Sequence, residues 1–118
     1  FEILGRDYER LERFYSALFG WRPNRDNPVG YGMISRSDNV SQSGIGIGGG
    51  IMAVGTDEAA FAGHATWYVE VPDVEASLAR AEQLGGTRLM GPDRVPGGTT
   101  LGQFRDPEGH LIGLVAAE

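Results

Sequence analysis

The chain has 118 residues, the size of one ordinary domain with room for a real core, and its 41% hydrophobic and 22% charged residues are those of a globular chain. A net charge of −6, with ten scattered arginines and no lysine, argues against nucleic acid as a partner, because phosphate binding needs a clustered basic surface. There is no cysteine, which excludes disulfides, thiolate metal sites and cysteine nucleophiles; no apolar run approaches membrane-spanning length, and a cytoplasmic location is expected.

The chain opens at Phe1 rather than Met, inside a short strand-like stretch "FEIL", which leaves a preceding segment open. The next segment, "RDYERLERFYSALFGWR", carries apolar residues at Tyr8, Leu11, Phe14, Tyr15, Leu18 and Phe19, a stripe at helical spacing. Asp7 is its predicted N-cap and Gly20 its stop. Three strand-like stretches follow, Trp21–Arg25, Tyr31–Arg36 and Ile45–Ala53, separated by Gly, Pro, Asn and Asp. Residues 55–63 read as a connector.

In "HATWYVEV", alternation puts Trp67, Val69 and Val71 on one face, expected to pack against a helix, and His64, Thr66, Tyr68 and Glu70 on the other. "PDVEASLARAEQLGG" predicts a second helix with a stripe of Val74, Leu78, Ala81 and Leu84, capped by Asp73 and stopped at Gly85-Gly86. Strands are expected at Thr87–Met90, Thr99–Arg105 and His110–Val115. The set Thr100, Gly102 and Phe104 alternates with Leu101, Gln103 and Arg105, without a sign of which faces inward.

A shift of 66 residues lays one half on the other. Asp7 meets Asp73, Glu9 meets Glu75, Leu18 meets Leu84, Gly20 meets Gly86 and Arg22 meets Arg88, while "FEIL" falls on "WYVE". Each half therefore reads β-α-β-β-β. The predicted fold is α+β: one domain of two βαβββ modules, 1–54 and 64–118, forming a curled mixed sheet around a concave cavity.

The segments "RFYSALFGW", "WYVEVPDVEASLARAEQLGG" and "FRDPEGHLIGL" resemble the vicinal oxygen chelate superfamily of glyoxalase I, extradiol dioxygenases and bleomycin-resistance proteins. The resemblance implies a cavity that holds a divalent metal in catalytic members, with ligands from the first and last strands of each module. By that pattern the second module's ligand positions fall on Thr66 and Gly113. The first module's last-strand ligand falls within "GIGIGGGI", residues 44–51, and its first-strand ligand just before Phe1. A threonine hydroxyl is a poor ligand beside imidazole, and glycine has no donor side chain. No acid, His or Asn stands between residues 44 and 51.

"DPEG", residues 106–109, reads as a tight turn, and His110 as a structural or surface residue at the start of the last strand. The expectation is a small-molecule-binding protein of this fold without the usual metal site or another cofactor. Thr66, Tyr68 and His64 supply polar contacts, and glycines such as Gly48 and Gly113 supply room. A metal-dependent lyase, isomerase or dioxygenase with displaced ligands is the alternative, and a partner-binding domain a third. Whether any reaction is catalysed stays open, as does a homodimer, the commonest assembly.

Overall fold

A computed structural model describes residues 1–53 and 63–117. The expected connector 55–63 lies outside the described residues except for Gly63. The chain divides into two compact units, Phe1–Ala65 and Thr66–Glu118.

In the first unit, β1 (Glu2–Gly5) leads into α1 (Tyr8–Phe19), then β2 (Gly32–Ile34), a 3₁₀ turn (Arg36–Asp38), β3 (Gly49–Ala53) and β4 (His64–Thr66), whose last residue crosses into the second unit. The sheet order is β2-β3-β1-β4, with β1 parallel and β2 antiparallel to β3. The helix begins where the Asp7 carboxylate accepts from the Arg10 amide at 3.0 Å. It ends where Gly20 takes φ 75°, a left-handed conformation that costs glycine little.

The second unit runs β5 (Tyr68–Val71), α2 (Val74–Gln83), β6 (Thr87–Arg94), β7 (Thr100–Arg105) and β8 (Leu111–Ala116). Its sheet order is β5-β8-β7-β6, parallel between β5 and β8 and antiparallel elsewhere. Asp73 caps α2 by accepting from the Ala76 amide at 2.9 Å. Arg88 on β6 reaches back to Glu75 through two nitrogens, at 2.8 and 2.9 Å, and to Glu82, tying α2 to the sheet. The fold is thus α+β, with two modules that each carry one helix on a four-stranded mixed sheet.

Each module has a small core of its own. Trp21, Ile34 and Ile51 are buried in the first, with Phe1, Ile3, Leu11 and Tyr15 packed around them. Val74, Leu78 and Leu114 are buried in the second, with Val71, Phe104 and Ala116 around them. Each helix settles over a glycine, but not on the corresponding strand. A β-carbon at Gly5 on β1 would stand 2.6 Å from Leu11 Cδ1. One at Gly102 on β7 would stand 2.8 Å from Val74 Cγ1 and 2.9 Å from Leu78 Cδ1. Helix α1 accordingly packs on β1 and β3, and α2 mainly on β6 and β7.

Several expectations are corrected. The segment Trp21–Arg25 makes a single bridge, Asn24 to Met33, because Pro23 has no amide to donate and Trp21 turns into the core. Only Gly49–Ala53 of the expected 45–53 strand is extended, since Ser41–Gly44 closes a tight turn that leaves Ile45 and Ile47 exposed. The strand read through 64–71 breaks at Trp67 into β4 and β5, which belong to different sheets. Trp67 and Val69 are exposed rather than buried, and in α1 the exposed residues include Phe14, Leu18 and Phe19. On β7, Gly102 and Phe104 face the helix, which leaves Leu101, Gln103 and Arg105 on the opposite face.

Candidate functional site

The sheet face opposite each helix carries Glu2 in the first unit and Tyr68 and Gln103 in the second. In the second unit, strand register sets Tyr68, Gly113, Gln103 and Met90 in one row across β5, β8, β7 and β6. Gly113 has no side chain, and the Tyr68 ring lies in the room this leaves: a β-carbon at 113 would fall inside the ring's contact distance. The Tyr68 hydroxyl accepts from Gln103 Nε2 at 2.8 Å, so the ring is held at both ends. Thr66 is buried, and its hydroxyl donates to the Leu111 carbonyl at 2.6 Å.

The first unit repeats the device with other residues. Glu2, Gly50 and Met33 form the corresponding row across β1, β3 and β2. The Tyr31 ring fills the room above Gly50, and its hydroxyl donates to Glu2 Oε2 at 2.9 Å. His64 stands on β4 with Nε2 at 3.7 Å from Glu2 Oε1, and both side chains are largely buried. Gly48 lies just before β3, where a β-carbon would meet Arg36 Cγ at an ordinary 3.4 Å. The room at the neighbouring Gly49 is taken by the Phe1 ring. The glycines of this stretch therefore make way for the protein's own rings at positions 49 and 50.

Of the residues singled out from sequence, Tyr68 and Gly113 come together, Thr66 is spent on a backbone carbonyl, His64 joins Glu2, and Gly48 stands apart from that cluster. Glu2, Tyr31 and Gln103 were not picked out. Alternation in "FEIL" sets Glu2 apart from Phe1 and Ile3, so that signal was available. Tyr31 and Gln103 needed the cross-strand register.

The "DPEG" segment is a turn. Asp106 Oδ1 accepts from the amides of Glu108 and His110, each at 2.9 Å, and His110 Nδ1 lies 2.9 Å from Asp106 Oδ2. The His110 amide, then its imidazole and the Glu108 amide, hold the Asp106 carboxyl below its usual range. His110 is exposed at the surface, and its partner is the turn. A cavity of about 420 Å³ beside edge strand β2 is lined by Arg22, Asn24, Met33, Ile34, Ser35 and Asp38. Its two charges meet each other at 2.6 Å.

A family model of the Glyoxalase/Bleomycin resistance protein/Dioxygenase superfamily matches residues 1–114. The chain belongs to this superfamily. Among solved structures it is similar to Streptomyces coelicolor methylmalonyl-CoA epimerase in complex with 2-nitronate-propionyl-CoA, at 20% identity over 98% of this chain and 93% of that one, TM-score 0.68. It is also similar to a structure described as an NAD-dependent benzaldehyde dehydrogenase from Legionella pneumophila, at 16% identity over 99% and 98%, TM-score 0.62. A selenomethionine methylmalonyl-CoA epimerase structure follows at 20% identity over 99% and 92%, TM-score 0.61. No curated protein sequence matches the chain. Identities this low carry the fold and leave the reaction open.

This superfamily member does not fit the divalent metal that the family resemblance implies. At Thr66 the hydroxyl is already committed to Leu111, and at Gly113 an aromatic ring occupies the place of a ligand side chain. In β3, Gly49–Ala53 offers only glycine, Ile, Met and Ala, none of them a ligand type for such an ion. Among the described residues, no three of His, Asp and Glu converge where they could hold a metal ion. Among the same residues, no helix is long and apolar enough to cross a membrane.

Proposed function

We propose that the chain is a small-molecule-binding protein of the glyoxalase/bleomycin-resistance fold in which the usual catalytic metal site is not built. The observation that carries this reading is the Tyr68 ring, laid over Gly113 and held through its hydroxyl by Gln103. An aromatic surface with a tethered polar end suits a compact, partly apolar ligand better than an ion. Tyr68 and Gln103 form the polar and aromatic wall of the second module. His64, with Glu2 and Tyr31, forms that of the first. Thr66 and Gly113 shape the wall of the second module, and Gly48 leaves room beside Arg36, apart from the wall of the first. The CoA esters held by structures of similar fold support a small organic ligand as the class. The proposal takes residues 1–118 as one glyoxalase-like domain, with modules 1–54 and 64–118 joined by 55–63. A cytoplasmic setting, in keeping with a sequence free of cysteine, belongs to the proposal.

A thermal-shift screen of small molecules against the unsubstituted chain and Tyr68→Ala tests this. A ligand of the folded state at a hundredfold its Kd adds about 2.7 kcal/mol of stability, a shift of several degrees for a domain this size. The expected result is at least one compound whose shift is lost in Tyr68→Ala. A screen with no shift, or with equal shifts in both proteins, overturns the reading.

A further inference from the structure

The cavity beside edge strand β2 forms where the 21–25 segment joins that strand. The join is one isolated bridge between Asn24 and Met33, in which each amide donates to the other's carbonyl, at 2.8 and 2.9 Å. The same antiparallel register would set Arg22 opposite Ser35, but the bridge is not continued there. The room beside it is about 420 Å³, within the range of small-molecule pockets. Arg22 and Asn24 line it from one stretch of chain, and Met33, Ile34, Ser35 and Asp38 from the other.

The two charges of this lining are held very differently. They meet at 2.6 Å, yet the Asp38 side chain is 8% exposed and the Arg22 side chain 81%. Asp38 ends the 3₁₀ turn Arg36–Asp38, which Ser35 caps by accepting from the Ser37 amide at 3.2 Å, so its short side chain starts from a fixed base. Arg22 follows the buried Trp21, but its long arm runs through solvent. Holding such an arm in one geometry costs side-chain entropy, and water screens the attraction it gains. The carboxylate, largely withdrawn from water, needs a cation beside it whichever molecule supplies one.

The arrangement selects by charge. An entering anion brings a second negative charge beside Asp38. A planar cation with N–H donors takes the place of the Arg22 guanidinium, and an apolar body attached to it has Met33, 51% exposed, to lie against. A rigid cation also freezes fewer torsions than the arginine arm does. The net charge of −6 draws cations toward the chain.

We propose that this cavity is a second binding site, for a compact organic cation such as an amidinium or guanidinium on an apolar body. Asp38 is the counter-charge, and Arg22 is a built-in occupant that the ligand displaces. The proposal does not depend on what Tyr68 and Gln103 bind.

Amide NMR titration with benzamidine, benzamide and benzoate tests it, because these three probes share a ring and differ in charge. Benzamidine is expected to move the amide signals of Met33, Ser35 and Asp38, while benzamide and benzoate leave them in place. Asp38→Asn is expected to raise the benzamidine Kd about tenfold or more, and Arg22→Ala to lower it about threefold or more, since the internal occupant is gone. Circular dichroism records whether each variant folds, and the comparison of the three probes on the unsubstituted chain needs no variant. No response to benzamidine in either the unsubstituted chain or Arg22→Ala overturns the proposal. So does an affinity indifferent to Asp38→Asn, an Arg22→Ala variant that binds no tighter, or a response to benzamide or benzoate as strong as that to benzamidine.

Discussion

Tyr68 and Gly113 are chemically unlike, and each makes sense only through the other. Gly113 leaves room on the sheet face, Tyr68 fills it, and Gln103 fixes the hydroxyl. A methyl group at 113 has to displace the ring or the strand. Gly113→Ala is therefore expected to lower stability by about 1–3 kcal/mol, the range for overpacking a formed contact. In a Tyr68→Ala background the same change should cost far less, because the obstructing ring is gone. Denaturant titration of the four proteins of this double-mutant cycle measures the coupling, and additive effects would contradict the account. The bare position was legible in sequence: Gly113 could be named as a place without a ligand side chain. Its occupant was not, since that depends on strand pairing between residues 45 apart and on which way a ring turns. Thr66 teaches the same lesson, because its hydroxyl is committed to the carbonyl of Leu111, far along the chain.

Local chemistry governs most of the elements. Asp7, Asp73 and Gly20 act as predicted because capping needs only the residues within one helical turn. The turn at 106–109 is equally local, and it has a pH consequence. Hydrogen bonds from the His110 and Glu108 amides lower the Asp106 pKa in the folded state below its usual 3.8, with the His110 imidazole adding to the effect. A depressed carboxyl contributes stability above its unfolded pKa and loses it as pH falls through the folded value. Melting temperatures followed into acid should therefore fall less steeply for Asp106→Ala than for the unsubstituted chain. Identical acid limbs would contradict the assignment. The features that escaped sequence reading are tertiary. Periodicity gave α1 a six-residue apolar stripe but did not separate Leu11 and Tyr15, which meet the sheet, from Phe14 and Leu18, which meet solvent. Alternation gave Trp67 and Val69 a common face but not the position of α2, which Gly102 draws toward β7.

For the whole molecule, the repeat did most of the work. One offset of 66 residues aligned two caps, two helix stops and two first strands, and the two-module α+β architecture follows from it. The superfamily match over residues 1–114 agrees with that architecture. Where first strand faces last strand, the two modules differ. Both last-strand glycines, Gly50 and Gly113, lie under tyrosines, and the corresponding first-strand residues are Glu2 in one module and Tyr68 in the other. As proposed above, these walls suit an organic ligand better than a coordinated ion. Elemental analysis of the protein purified without chelator, repeated after incubation with Zn, Ni, Mn and Fe salts and dialysis, tests it most directly. Metal contents far below one per chain are expected in every case. A stoichiometric divalent ion that survives dialysis and is lost on substituting Glu2 or His64 would contradict it.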